Sequence, residues 1–238
     1  MKKLRYFVAL LVVTLLAGCT NSTSSSSYKD VKDDAIRNLL TNYVIAIESS
    51  PKTIELYKKD KATIKDYKNE DMLLIGLNTA YGLESEIDLT PAQVAHFEKN
   101  NMKNVYSYIN SSDVESNINK IFGSTTVKNA TTNSCPNYIF NQQQSVYYVQ
   151  HNCENKDKIL SYISSVKNDG NLYLVEVYAG YISNNTLYGD VNKSKKIKDL
   201  EVEESYTIDD SNKGSFTKYT YTFKKNSDGN YIFDSFTK

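Results

Sequence analysis

The chain has 238 residues, of which 40% are hydrophobic and 24% charged, an ordinary balance for a globular protein. Lysine plus arginine equals aspartate plus glutamate at 28 each. With no basic cluster and no recognition motif, that balance argues against a nucleic-acid partner.

The chain opens on positive charge at Lys2, Lys3 and Arg5, followed by an apolar run from Tyr6 to Leu16. That run is too short to cross a bilayer as a permanent helix and has the length of a signal-peptide core. It ends in Leu16-Ala17-Gly18-Cys19. This stretch resembles the lipobox of bacterial lipoproteins. The resemblance implies that residues 1–18 are a signal peptide cut off before Cys19, and that the Cys19 thiol carries the lipid (diacylglycerol, with palmitate as a fatty acid). It also implies a protein held on the extracytoplasmic face of the cell membrane by that lipid. Two acyl chains give a stable anchor where one gives only marginal binding. Loss of the three basic signal residues leaves 25 basic against 28 acidic residues, a net charge of about −3. That is no electrostatic reason to lie flat on an anionic membrane. Residues 19–29 read as the lipidated cysteine and a Ser-rich tether, because Thr20 to Ser27 holds nothing to bury.

Residues 30–122 read as a helical region. Val31, Ala35, Leu39 and Tyr43 recur at helical spacing, widened by Ile36, Leu40 and Ile47. Ser50-Pro51 breaks this helix and opens the next. Asp71 to Tyr81 is apolar nearly all round and predicts a buried helix stopping near Gly82. Thr90-Pro91-Ala92-Gln93 combines an N-cap, a proline in the first helical position and a capping-box glutamine. Val94, Phe97, Met102, Val105 and Tyr108 give that helix an apolar side, and Ser112 to Phe122 forms a last short helix stopped by Gly123.

Residues 123–238 change to alternation and read as an antiparallel β region. Tyr138 to Phe140 and Val146 to Val149 predict a hairpin. Leu160 to Val166 fits a strand or a short helix. Leu172 to Ile182 is apolar on both faces, apart from Glu176, and predicts a central strand covered on both sides. Tyr188 to Val191, Leu200 to Ile208, Phe216 to Lys224 and Asn230 to Phe236 follow as strands. Asp169-Gly170-Asn171 and Asp228-Gly229-Asn230 are tight hairpin turns. The expected class is α+β, the helical region packed on an antiparallel meander. Its element order resembles NTF2-like and cystatin-like folds.

Chemistry-bearing residues are few. Cys135 and Cys153 remain once Cys19 is used for lipid, and outside the membrane an even pair predicts a disulfide. In the chain-entropy model such a bond stabilises the fold by about 3 kcal/mol. Zinc is disfavoured because His151 is the only nearby histidine, and no C-x-x-C supports redox chemistry. The other histidine, His96, sits beside Phe97 in a helix. No G-x-S-x-G, H-E-x-x-H, P-loop or G-x-G-x-x-G is present, so no cofactor or metal is implied. The carboxylate groups Glu84, Glu86 and Asp88; Glu201, Glu203 and Glu204; and Asp209 and Asp210 read as charged turns. Asp209 to Gly214 fails the calcium-loop pattern. The remaining candidate is an aromatic sheet face carrying Tyr219, Tyr221, Tyr231 and Phe233. If open, it is a platform for a sugar or peptide; if covered by the helices, it is core.

The C-terminal half, from Ile121-Phe122-Gly123 to Asp228-Gly229-Asn230-Tyr231, resembles uncharacterised lipoproteins of low-GC Gram-positive bacteria, a resemblance that implies no activity. The expectation is a lipid-anchored, non-catalytic binding module at the cell envelope, facing a protein, peptide or glycan. The alternatives are an envelope enzyme built on scattered carboxylates or His151, and an accessory subunit that docks on a membrane complex through its helical half.

Overall fold

The computed structural model describes residues 27–80, 83–87, 89–99, 104–151, 157–201 and 204–238. The expected signal peptide, Cys19, most of the tether, Gly82, Asp88, Met102, Cys153 and Glu203 lie outside the described residues. None of the described helices is long and apolar enough to cross a membrane.

The chain is α+β, with five described helices and twelve described strands. Helix α1 (Asp34–Glu48) starts at Asp33, whose carboxylate accepts from the N–H groups of Ala35 and Ile36. These are two of the donors that a helix start leaves unpaired. Leu40, Tyr43, Val44 and Ile47 form its buried stripe. Ser50 caps α2 (Pro51–Leu56), with Pro51 in the first turn, as the sequence predicts. Helix α3 (Asn69–Ala80) buries Met72, Leu73, Ile75, Leu77 and Ala80. It crosses α5 (Ser111–Phe122) closely at Gly76, where a Cβ would stand 2.4 Å from Ile118. Between them, α4 (Pro91–Lys99) has the expected capping box: the Gln93 side chain accepts from the N–H and hydroxyl of Thr90.

The strands form two antiparallel sheets. The larger runs β1 (Lys29–Asp30), β7 (Asp157–Asn168), β8 (Leu172–Ser183), β11 (Thr217–Lys225), β12 (Tyr231–Thr237) and β2 (Lys61–Thr63). At the end of β8 it adds β9 (Thr186–Tyr188) and then β10 (Lys196–Asp199). The smaller runs β3 (Ser85–Glu86), β4 (Val105–Asn110), β6 (Val146–Gln150) and β5 (Asn137–Asn141). The turns at Gly170 and Gly229 have positive φ of 102° and 84°, the left-handed conformation that favours glycine.

One continuous core joins α1, α2, α3 and α5 to strands of both sheets. Helix α5 touches β12 of the large sheet and β4 of the small one. The helical layer thus packs against both sheets. The other face of the small sheet carries α4 over Val105, Val146 and Tyr148.

The structure corrects three sequence expectations and decides a fourth, Leu160 to Val166, that the sequence left between strand and helix. The helix read through Tyr108 ends at Lys99, and Val105–Asn110 is strand β4, with Val105, Ser107 and Ile109 buried. Its partner β6 lies beyond residue 123, so the expected division there is crossed by strand pairing. Leu160 to Val166 is strand, within β7. The described part of Leu200 to Ile208 holds no strand; the strand there is the earlier β10. Lastly, β8 is central, but only one of its faces is fully covered. Tyr173, Val175, Val177, Ala179 and Tyr181 meet the main core, whereas Leu172, Leu174, Glu176 and Tyr178 are half-exposed. Only its end is roofed on the second side, where Ile182 packs with Leu187, Ile208 and Phe216.

Candidate functional site

The last turn of α1 places a carboxyl on an apolar stripe. Glu48 follows Val44 by four residues and Leu40 by eight, so all three point the same way. Glu48 is 5% exposed, and the Tyr57 hydroxyl donates a hydrogen bond to its Oε1. Because Tyr57 gives its only proton to Glu48, the Tyr221 hydroxyl, 2.7 Å away, donates to Tyr57. The Tyr57 ring stacks on Tyr219 at 3.8 Å, and the Tyr219 hydroxyl donates to the Tyr57 carbonyl. Burial pushes the Glu48 carboxyl up to about 7, against the smaller opposing pull of the hydroxyls of Tyr57 and Ser161. Burial also raises the Tyr57 and Tyr221 hydroxyls well above their ordinary value.

Glu48 forms part of the wall of a cleft of about 640 Å³. Its lining comes from the α1–α2 junction (Ile45, Ser49, Pro51, Ile54), from Asn78 of α3, from β5 and the two residues before it (Tyr138, Cys135, Pro136) and from β7 and β8 (Asp157, Ile159, Ser161, Tyr181). The cleft therefore lies where the helical layer and both sheets meet. A second hydrogen-bond chain braces this junction. The Tyr138 hydroxyl donates to Asn78 Oδ1, Asn78 Nδ2 donates to Ser49 Oγ, and Ser49 Oγ donates to the Ala46 carbonyl. The walls come largely from helices and strands joined by these hydrogen bonds, so the cavity is pre-formed.

The aromatic platform expected at Tyr219, Tyr221, Tyr231 and Phe233 is not open. These residues are 1%, 0%, 6% and 1% exposed. The helical layer covers their sheet face, as a sheet with a neighbouring helical layer requires. Phe233 meets Tyr67 edge-on at 5.8 Å, and Tyr231 meets Tyr173 edge-on at 4.8 Å. A bulge at Asp234 in β12 resets the alternation, so Phe236 also points inward against Tyr57. As a direct ligand surface the quartet is corrected to core. Tyr221 alone reaches the cleft's chemistry, through Tyr57.

The structure also brings His151 together with two residues distant in sequence. Ser107 Oγ lies 2.9 Å from His151 Nε2, and Glu84 Oε2 lies 3.3 Å from the same nitrogen. The Ser107 hydroxyl also bonds Glu84 Oε2 directly. A nucleophile relay places serine on one ring nitrogen and the orienting carboxylate on the other. Here both converge on Nε2, which is a cross-brace at the strand ends rather than a relay. His96 is exposed on α4 with its ring against Phe97. Asp209 caps its own turn by accepting from Ser211 and Asn212, and Asp210 pairs with Lys213. Glu204 pairs with Lys198. Among the described residues no group of three side chains is placed to hold a metal.

Cys135 lies at the cleft, while its expected disulfide partner Cys153 lies outside the described residues.

No protein-family model, curated protein or solved structure matches the chain. The resemblance to NTF2-like and cystatin-like folds therefore rests on element order alone.

Proposed function

We propose that this chain is a lipid-anchored binding protein of the extracytoplasmic face of the cell membrane, with the cleft beside Glu48 as its ligand site. The lipobox-like Leu16-Ala17-Gly18-Cys19 and the Ser-rich stretch after it support the anchor and tether. One observation carries the binding reading: a cleft where the helical layer and both sheets meet, with a buried carboxyl in its lining and largely apolar walls. Apolar walls with a few placed polar groups are the usual make-up of a small-molecule site. Binding is favoured over turnover because the convergent Ser107, His151 and Glu84 lack relay geometry. A disulfide between Cys135 and Cys153 would fasten one wall of the cleft.

The test is a ligand-observed NMR screen of glycans, short peptides and amines on the full-length protein and on Ile45→Trp. Ile45 is 51% exposed at the cleft, so tryptophan there narrows the mouth without entering the core. The expected result is a set of ligands that bind the parent and are lost in Ile45→Trp. Ligands that bind both equally, or none at all, would overturn the reading. For the anchor, Cys19→Ala is expected to release the protein from the membrane or leave it unprocessed. Unchanged mass and unchanged retention would contradict it.

A further inference from the structure

We infer that the cleft takes a ligand bearing a protonated amine, the ammonium on Glu48 and the carbon skeleton against the apolar and aromatic walls. The inference rests on the cleft being a binding site.

Glu48 is buried at the end of α1, and no described lysine, arginine or histidine forms an ion pair with it. The other buried carboxyl among the described residues, Asp190, is tied to the N–H groups of Ser194 and Lys195 and to the Ser194 hydroxyl. A carboxylate offers about four acceptor positions. The hydroxyls of Tyr57 and Ser161 fill two on Glu48, so acceptor capacity remains on a carboxyl that lines the cleft. An interior carboxylate without a counter-charge is costly, and an incoming cation with good hydrogen-bond geometry offsets that cost.

The remaining lining agrees with a cation of this shape. Asp157 and Lys158 of β7 carry opposite charges, and Lys193 stands over the Tyr181 ring at 5.6 Å from its centroid, so Glu48 is the buried acidic group in the lining. Tyr138, Tyr181, Pro51, Ile54, Pro136 and Ile159 supply the apolar walls. Aromatic faces near a carboxyl favour a cation over an anion, because the ring face is electron-rich. A sugar would ask for a denser array of placed hydrogen-bonding groups than this lining offers, and an anion would meet like charge.

The inference carries a pH signature. The ammonium pairs with the ionised form of Glu48, so affinity rises with pH through about 7 and then levels. The groups facing Glu48 are the hydroxyls of Tyr57, Tyr221, Tyr67, Tyr219 and Ser161 on its inner side, with Tyr138, Tyr181, Asp157 and Lys158 around the cleft. Tyr57, Tyr221 and Tyr181 are all raised above their ordinary value, so they stay protonated across this range.

The experiment is calorimetric titration of the full-length protein in detergent micelles with tyramine and with tyrosol, its alcohol counterpart without the ammonium. Both are measured at about pH 6 and about pH 8.5, where an aliphatic amine remains protonated. The expected result is tyramine binding about tenfold tighter at the higher pH, following the ionised fraction of a group titrating near 7. Tyrosol is expected to bind at least about tenfold more weakly than tyramine at the higher pH, with no pH dependence. Glu48→Gln is expected to bring tyramine down to tyrosol's affinity. If that variant does not fold, the amine–alcohol contrast and its pH dependence in the parent decide alone. Equal affinities for the two probes would overturn the amine and leave the binding reading intact. Failure of tyramine to bind would also overturn the amine; if the wider screen then yields no ligand sensitive to Ile45→Trp, the binding reading falls with it.

Discussion

Two carboxyls on opposite faces of the large sheet show what a charge needs in this fold. Glu176 points outward from β8. It accepts from Lys218 Nζ at 2.8 Å and Ser165 Oγ at 2.7 Å, with Lys167 Nζ at 3.5 Å. The Lys218 hydrogen bond, ahead of the others, holds its carboxyl down at about 2. Glu48 faces the inner side of the same sheet, beside Ser161 and Tyr57, and burial lifts its carboxyl to about 7. The outer group has partners and solvent, so it is a structural ion pair. The inner group has hydroxyls but, among the described residues, no cation, which is the basis of the amine proposed for the cleft.

The comparison can be broken first through packing. Phe236 is fully buried on the inner face against Tyr57, Tyr219 and Tyr221. Phe236→Ala is expected to cost about 3–5 kcal/mol in urea unfolding, whereas Leu174→Ala on the half-exposed outer face costs about 1 kcal/mol. Equal losses would mean that the inner face is no better packed than the outer.

The next effect is electrostatic. The folded chain holds the Glu48 proton up to about pH 7, while the unfolded chain releases it near 4.5. Its contribution to stability is full below 4.5 and is lost as pH rises through 7. Glu48→Gln keeps an acceptor for Tyr57 and cannot ionise. The variant is therefore expected to match the parent near pH 4.5 and to exceed it at about pH 8, by on the order of 3 kcal/mol at most. A variant that is less stable at both values would contradict the uncompensated carboxyl.

Tyr221→Phe removes the hydroxyl that donates to Tyr57, and is expected to cost about 1 kcal/mol while leaving the Glu48–Tyr57 bond in place. Smallest is Glu176→Gln, where the sign reverses. The Glu176 carboxyl is lowered on folding, so its contribution is present above about 4.5 and lost as pH falls through 2. With Lys218 nearly half exposed, solvent screening limits the loss to about 1 kcal/mol at neutral pH. Thermal melts at neutral pH and at about pH 2 separate these cases, since the variant and parent converge only at the acid end.

Much of the helical layer is legible in the sequence because its signals are local. Ser50-Pro51, the Thr90–Gln93 box, Gly170 and Gly229 each act within a few residues. Strand β4 is harder to read. Val94, Phe97, Met102, Val105 and Tyr108 fit a helix, yet Val105-Tyr106-Ser107-Tyr108-Ile109 also alternates. What decides between them is pairing with β6, about forty residues further on, together with Asn104 at a positive φ of 62°. Beyond residue 200, apolar side chains suggest a strand where they instead cap the end of β8 as irregular chain: Ile208 is buried there, with Leu200 and Tyr206 packed beside it.

The candidate site is legible at one point only. Glu48 interrupts the apolar stripe of α1 at the position after Ile47, and a carboxyl on a buried face is a signal that sequence reading can use. Tyr57, Tyr138 and Ser161 give no such sign, because only tertiary packing brings them to Glu48. The aromatic cluster at Tyr219, Tyr221, Tyr231 and Phe233 is conspicuous for the opposite reason: a core strand and an open aromatic platform share one pattern.

The most direct measurement is the titration of Glu48 in the full-length protein, followed by carbon-13 NMR of its side-chain carboxyl, with Glu48→Gln assigning the signal. A midpoint near 7 is the predicted result. A midpoint at or below the ordinary glutamate value of about 4.5 would contradict it, since the carboxyl would then be solvated or already paired, and the cleft would have no charge to offer a ligand.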